Sequence, residues 1–144
     1  MNFIIRIFTA LTETHPIHPM TVHFPIALTG AASLFILLAL WVNKAFFEQA
    51  AFANIALAAI STIPAGITGI YDNQVNYLGD APNANLKIIL GIVFFLVTTI
   101  ISVARWKNPD LLNTSRVKYV GAIMISFALS IVLAFLGGVI LYGF

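Results

Sequence analysis

The chain has 144 residues, of which 60% are hydrophobic and 8% charged, and its formal net charge is +2. Its mean hydropathy is +1.00, and soluble domains carry roughly 25% charged residues. That much apolar surface excludes a water-soluble class for a chain of this size. The absence of cysteine excludes disulfides, thiolate metal sites and cysteine nucleophiles, and seven scattered Lys and Arg give nucleic acid no basic face to bind.

Residues 1–14 place Phe3, Ile4, Ile7, Phe8 and Leu11 on one side of a helix, with Asn2, Arg6, Thr9 and Glu13 mostly on the other. This pattern predicts a short amphipathic helix lying in the membrane interface. Arg6 interrupts the apolar run and no small-residue cleavage site follows, which argues against a cleaved signal peptide.

Residues 15–25 hold all three histidines, His15, His18 and His23, and prolines 16, 19 and 25. A residue before proline is pushed toward extended geometry, so residues 15–18 read as a turn. Pro19 then suits the first position of a helix, and Pro25 should loosen that helix near His23.

Four apolar segments follow, at about 22–42, 52–70, 86–104 and 120–142. Each approaches the ~20 residues that cross a ~30 Å hydrocarbon core, and none holds Asp, Glu, Lys or Arg deep inside. The links 43–51, 71–85 and 105–119 are short, which predicts antiparallel neighbours and an all-α, four-helix up-down bundle spanning the membrane over residues 15–144. Ala27/Ala31, Ala65/Gly69 and Ala134/Gly138 have the small-xxx-small spacing of close helix contacts. Pro64 should kink the second span, with Ser61 or Thr62 helping to satisfy the freed carbonyl.

Basic residues set the orientation. Lys44, Arg105, Lys107, Arg116 and Lys118 fall in the first and third links, against Arg6 and Lys87 on the other side. The first and third links are therefore expected in the cytoplasm. Both termini and the histidines are expected outside the inner membrane. Trp41, Trp106 and Tyr119 would form one aromatic belt, and Tyr71, Tyr77 and Tyr142 the other.

Imidazole ligates zinc, copper and haem iron and titrates near neutral pH. His15 and His18 are three residues apart and His18 and His23 five. Such spacings do not converge on a straight helix, but a turn leading into a kinked helix brings two of the three together. The leading reading is histidines that cap and pack at the interface. A haem b or transition-metal site at His15, His18 and His23 comes next, and pH sensing or partner docking third. Asp72, at the end of the second span, is a second-layer carboxylate for such a site, or simply part of a polar loop with Asn73, Gln74 and Asn76. Lys87 reads as a cation snorkelling to headgroups.

The run His15-Pro16-Ile17-His18-Pro19-Met20-Thr21-Val22-His23-Phe24-Pro25-Ile26-Ala27-Leu28 resembles the opening signature of the domain of unknown function 2231 family, small four-helix bacterial membrane proteins. Gly69-Ile70-Tyr71-Asp72 is similar to that family's Gly-x-x-Asp element, and Phe135 to Tyr142 to its Gly-Gly element. The likeness runs from His15 onward and brings no settled activity with it. Related domains joined to Rieske or cytochrome-like modules imply an electron-transfer setting for some members. Many members have a histidine early in the third span where this chain has Lys87, and a basic, histidine-containing ending where this chain has Phe144. Both departures weigh against bis-histidine haem.

No nucleophile motif and no phosphate-cradling loop appears. The hydroxyls Ser33, Ser61, Thr62, Thr68, Thr98, Thr99, Ser102, Ser126 and Ser130 have no neighbouring base and read as groups bonding helix carbonyls or neighbouring helices. Three functions remain: an accessory subunit packed against other membrane protein subunits in the lipid bilayer, a haem or metal protein in electron transfer, and a small permease or pH sensor. Enzymatic activity is left open, with a non-catalytic role favoured.

Overall fold

The computed structural model describes residues 2–9, 17–42 and 44–142. Among these residues six helices run in order: α1 (Phe3–Thr9), α2 (Ile17–Val42), α3 (Ala45–Tyr77), α4 (Ala84–Lys107), α5 (Leu111–Thr114) and α6 (Arg116–Tyr142). Helices α2, α3, α4 and α6 are each long and apolar enough to cross a membrane.

All four outrun their predicted spans. Hydropathy reports only the part of a helix that meets hydrocarbon, whereas backbone hydrogen bonding continues into the polar flanks. The 33 residues of α3 correspond to about 50 Å at 1.5 Å per residue, well beyond the ~30 Å core. The expected turn at 15–18 is corrected over its described half, because Ile17 and His18 are already helical. Pro19 is thus the third helical residue. Its missing N–H falls among the first four donors, which lack an intrahelical partner in any case. The helical assignment also continues through Pro25 and Pro64.

The helices form a closed ring in which α2 and α4 each pack on both α3 and α6. Contacts between helix ends fix an up-down order. The start of α2 meets the end of α3 where His18 bonds Ala65, and the start of α3 meets the end of α4 where Glu48 meets Arg105. The α2–α3 pair has the most extensive contact, and small residues explain it. Ala32 and Ala39 on α2, and Ala51, Ala58 and Ala59 on α3, are buried around Ile36 and Ile55. Without a water-driven hydrophobic effect inside lipid, close backbone approach of this kind supplies the packing energy. Phe35 stacks on Phe47 with ring centroids 6.4 Å apart, where the two helices join.

Of the three predicted small-residue faces, Ala65/Gly69 lies at a helix contact, with Ala65 buried and Gly69 against the His18 ring. Ala27 and Ala134 are exposed, and on α2 the close approach is made instead by Gly30, set against the Phe127 ring of α6. Spacing alone identifies a small stripe without saying whether it faces protein or lipid.

The α3–α4 link is held by Asn73. Its backbone carbonyl accepts from the N–H groups of Leu78 and Gly79, the latter at 2.9 Å. Its side chain accepts from the Ala81 N–H at 3.0 Å and donates to the Gly79 carbonyl at 3.3 Å. Gly79 has φ +91°, a conformation in which a Cβ is strained.

Candidate functional site

At one end of the bundle all four long helices contribute to a polar site. His18 projects from the first turn of α2 onto α3, where its Nδ1 lies 3.1 Å from the Ala65 carbonyl and 3.4 Å from Thr68 Oγ1. The carbonyl can only accept, so Nδ1 carries the proton and donates, and Nε2 keeps its lone pair. Thr21 and Thr68 join hydroxyls at 2.8 Å across the same contact. Gly69 makes room for the ring, since a Cβ there would stand 2.8 Å from His18 Cε1.

Asp72 follows Gly69 by one turn, and Lys87 enters from the first turn of α4. Both act electrostatically on His18 and on each other. The Lys87 ammonium points toward α6, where Gly137 leaves it space; a Cβ on that glycine would stand 3.9 Å from Nζ. Asp72 accepts from Asn76 Nδ2 at 2.5 Å. It makes no hydrogen bond to a histidine among the described residues.

His15 lies outside the described residues. His23 is exposed and bonds through Nδ1 to the Pro19 carbonyl one turn before it. The unbroken helix therefore separates His18, which faces α3, from His23, which faces outward. Five residues correspond to about 140° of rotation at 3.6 residues per turn. Among the described residues no group of three or more His, Cys, Asp or Glu is placed to hold a metal ion.

The opposite end holds a cluster that sequence reasoning missed. Arg105 grips Glu48 in a bidentate pair, Nε to Oε1 at 2.5 Å and a terminal nitrogen to Oε2 at 2.7 Å. Tyr119 donates to the same Oε1 at 3.0 Å, and the guanidinium lies 5.2 Å from the centre of the Phe52 ring. The cluster joins α3, α4 and α6. Tyr119 is 0% exposed, so its expected place in an interfacial aromatic belt is corrected. It sits near that level along α6 but faces the protein, because its hydroxyl completes the carboxylate's shell. Trp41 and Trp106, by contrast, are exposed. Alternating helix direction could have revealed the pair, since it brings the start of α3 and the end of α4 to one end of the bundle.

Between the two ends, Thr29, Ser33, Thr98, Ser126 and Ser130 are buried hydroxyls. Thr98, Ser126 and Ser130 bond carbonyls of their own helices, at 2.8, 2.8 and 2.7 Å, as the sequence predicts. Thr29 also donates to Ser130 at 3.1 Å and so links α2 to α6. Ser33 and Thr99 have no partner among the described residues. Ser61 and Thr62 both bond the Ala58 carbonyl rather than the Ile60 carbonyl that Pro64 leaves free.

The helices, their hydropathy and their ring packing define a multi-pass, all-α membrane protein. A family model described as predicted membrane protein (DUF2231) matches residues 14–143, and the chain belongs to that family. No curated protein and no solved structure matches the chain.

Proposed function

We propose that the chain serves as a small accessory subunit of the inner membrane, seated laterally against a larger membrane complex. Its histidine end would lie on the outer, periplasmic side. The observation that carries this reading is how few of the described residues stand outside membrane-length helix. The described links are residue 44, residues 78–83 and residues 108–115, the last enclosing only the four-residue α5. Among the described residues, the surface offered to a partner is therefore chiefly helix face. Large apolar side chains are exposed on every long helix, among them Leu34, Ile63, Ile100 and Ile131. Lys44, Lys107, Arg116 and Lys118 gather at the Glu48 end, which favours that end as cytoplasmic. Helix α1, with Phe3, Ile4, Ile5 and Ile7 exposed, fits a segment lying in the interface.

Photo-cross-linking residues placed singly at Leu34, Ile63, Ile100 and Ile131 in native membranes test the reading. One face should give a discrete protein adduct of constant mass while the others give none. Adducts to lipid alone, from all four positions, would refute it.

A second reading, a haem b or transition-metal centre in electron transfer, is favoured by one detail. A metal-bound imidazole characteristically donates its other ring N–H to a carbonyl, as His18 Nδ1 does to Ala65. His18 would hold the metal through Nε2, and the group would supply one-electron transfer. Protein purified after growth with haem and metals supplied should then show a reducible Soret band, or stoichiometric metal, that His18→Ala removes. A colourless, metal-free protein refutes this reading.

A further inference from the structure

Charged side chains at span depth are costly and mark function unless they are paired. The molecule treats its charges in two ways. Glu48 and Arg105 neutralise one another within a full set of hydrogen bonds. Lys87 and Asp72 do not. Lys87 is half-buried, three residues into α4, and its ammonium has no hydrogen-bond or ion-pair partner among the described residues. Asp72 is also half-buried and keeps one carboxylate oxygen without a described partner, Asn76 occupying the other. Asp72 lies one turn beyond Gly69, which holds the His18 ring, and no ion pair closes between Asp72 and Lys87. Glycines face the side chains here: Gly69 under His18 and Gly137 beside Lys87. The site lies where α3 passes from the apolar Ile67–Ile70 run to the polar Asp72–Asn76 run, beside the exposed Tyr71. Such a passage from apolar to polar residues beside an exposed tyrosine is the pattern of a membrane–water interface.

We propose that this site binds a phosphate–ammonium zwitterion, the headgroup chemistry of an aminophospholipid, with Lys87 taking the phosphate and Asp72 the primary ammonium. An ammonium without a described partner and a carboxylate with one oxygen still open, not paired with each other, complement a ligand carrying both charges a short distance apart. A purely anionic headgroup would leave Asp72 opposed, and a quaternary ammonium would offer Asp72 no N–H to accept. The Lys87 chain keeps its four-carbon stem along apolar helix surface while its head reaches polar depth.

The test is native mass spectrometry of the delipidated full chain, titrated with phosphatidylethanolamine, phosphatidylcholine and phosphatidylglycerol of identical acyl chains. Phosphatidylethanolamine should bind about tenfold more tightly than either other lipid, the scale of one charge-assisted hydrogen bond. Lys87→Met should reduce it to the level of the others, and Lys87→Arg should retain it. Asp72→Asn should erase the preference for phosphatidylethanolamine while leaving phosphatidylglycerol bound as before. A competition arm with free phosphoethanolamine separates the two sources of this chemistry. Displacement at equal concentration assigns the site to the soluble compound, and failure to displace assigns it to the lipid. Equal affinity for all three lipids with no binding of free phosphoethanolamine, or unchanged binding in both Lys87→Met and Asp72→Asn, would overturn the proposal. Circular dichroism on each variant confirms that the helices remain.

Discussion

Replacing Arg105 with Met should destabilise the bundle far more than any exposed charge change. The Arg105 and Glu48 side chains are 11% and 9% exposed, so solvent screens their pairing little. Removing the guanidinium deletes two charge-assisted hydrogen bonds and the contact with Phe52. It leaves a buried carboxylate supported only by Tyr119. One-sided removal from a buried pair costs about 3–5 kcal/mol, most of it the isolation of Glu48 rather than the value of the pair. The combined change Glu48→Leu, Arg105→Met and Tyr119→Phe leaves no polar orphan and should recover most of that loss. Equilibrium unfolding in mixed micelles of rising SDS fraction, followed by far-ultraviolet circular dichroism, reads the difference, with the exposed Lys107→Met as control. The reasoning fails if Arg105→Met lies within about 1 kcal/mol of that control, the range expected of a surface charge, or if the triple variant is no more stable than the single one.

Four further substitutions test the packing. Tyr119→Phe should cost about 1.5–3 kcal/mol, one hydrogen bond to a charged group, in the same unfolding assay; in the Glu48→Leu/Arg105→Met background it should instead stabilise, because the hydroxyl there has lost its acceptor. Gly69→Ala should cost about 1–3 kcal/mol, since its new Cβ would stand 2.8 Å from His18 Cε1 and overpacking carries that cost. In a His18→Ala background the same change should be nearly neutral, and equal costs in both backgrounds would show that the ring is not what the glycine accommodates. Ser33→Ala should leave stability unchanged or raise it by up to about 1 kcal/mol, because its buried hydroxyl has no partner. Thr29→Val should lower it by about 0.5–1.5 kcal/mol through the lost bridge to Ser130, and reversed signs for this pair would contradict the hydrogen-bond assignment.

The class of protein and its four membrane helices follow directly from the sequence, because the cost of an unpaired backbone group in lipid leaves an uninterrupted apolar run of this length few alternatives to helix. The links are short enough to impose alternating direction, and the family shows in a match that runs over residues 14–143. Hydropathy could not set the helix ends, since Glu48, Asp72 and Lys87 lie on helical backbone outside or at the edge of the apolar runs. Nor could it decide which side of a helix faces protein. Ala27/Ala31 and Ala65/Gly69 have the same spacing, yet Ala27 is exposed while Ala65 is buried.

The polar sites are tertiary in origin. Glu48 and Arg105 are 57 residues apart, and each reads in sequence as an ordinary residue at a span boundary. Only the ring of helices gives the carboxylate its guanidinium and its tyrosine. The three histidines, adjacent in sequence, read as one cluster. The helix instead turns His18 onto Ala65 and His23 outward. Sequence by itself determined that the chain is a bundle of membrane helices, because that outcome depends on the sum of apolar side chains along each segment. Which charges are neutralised and which are left available was decided by the tertiary structure, because that depends on the rotation and depth of each helix against its neighbours, quantities that no single segment contains.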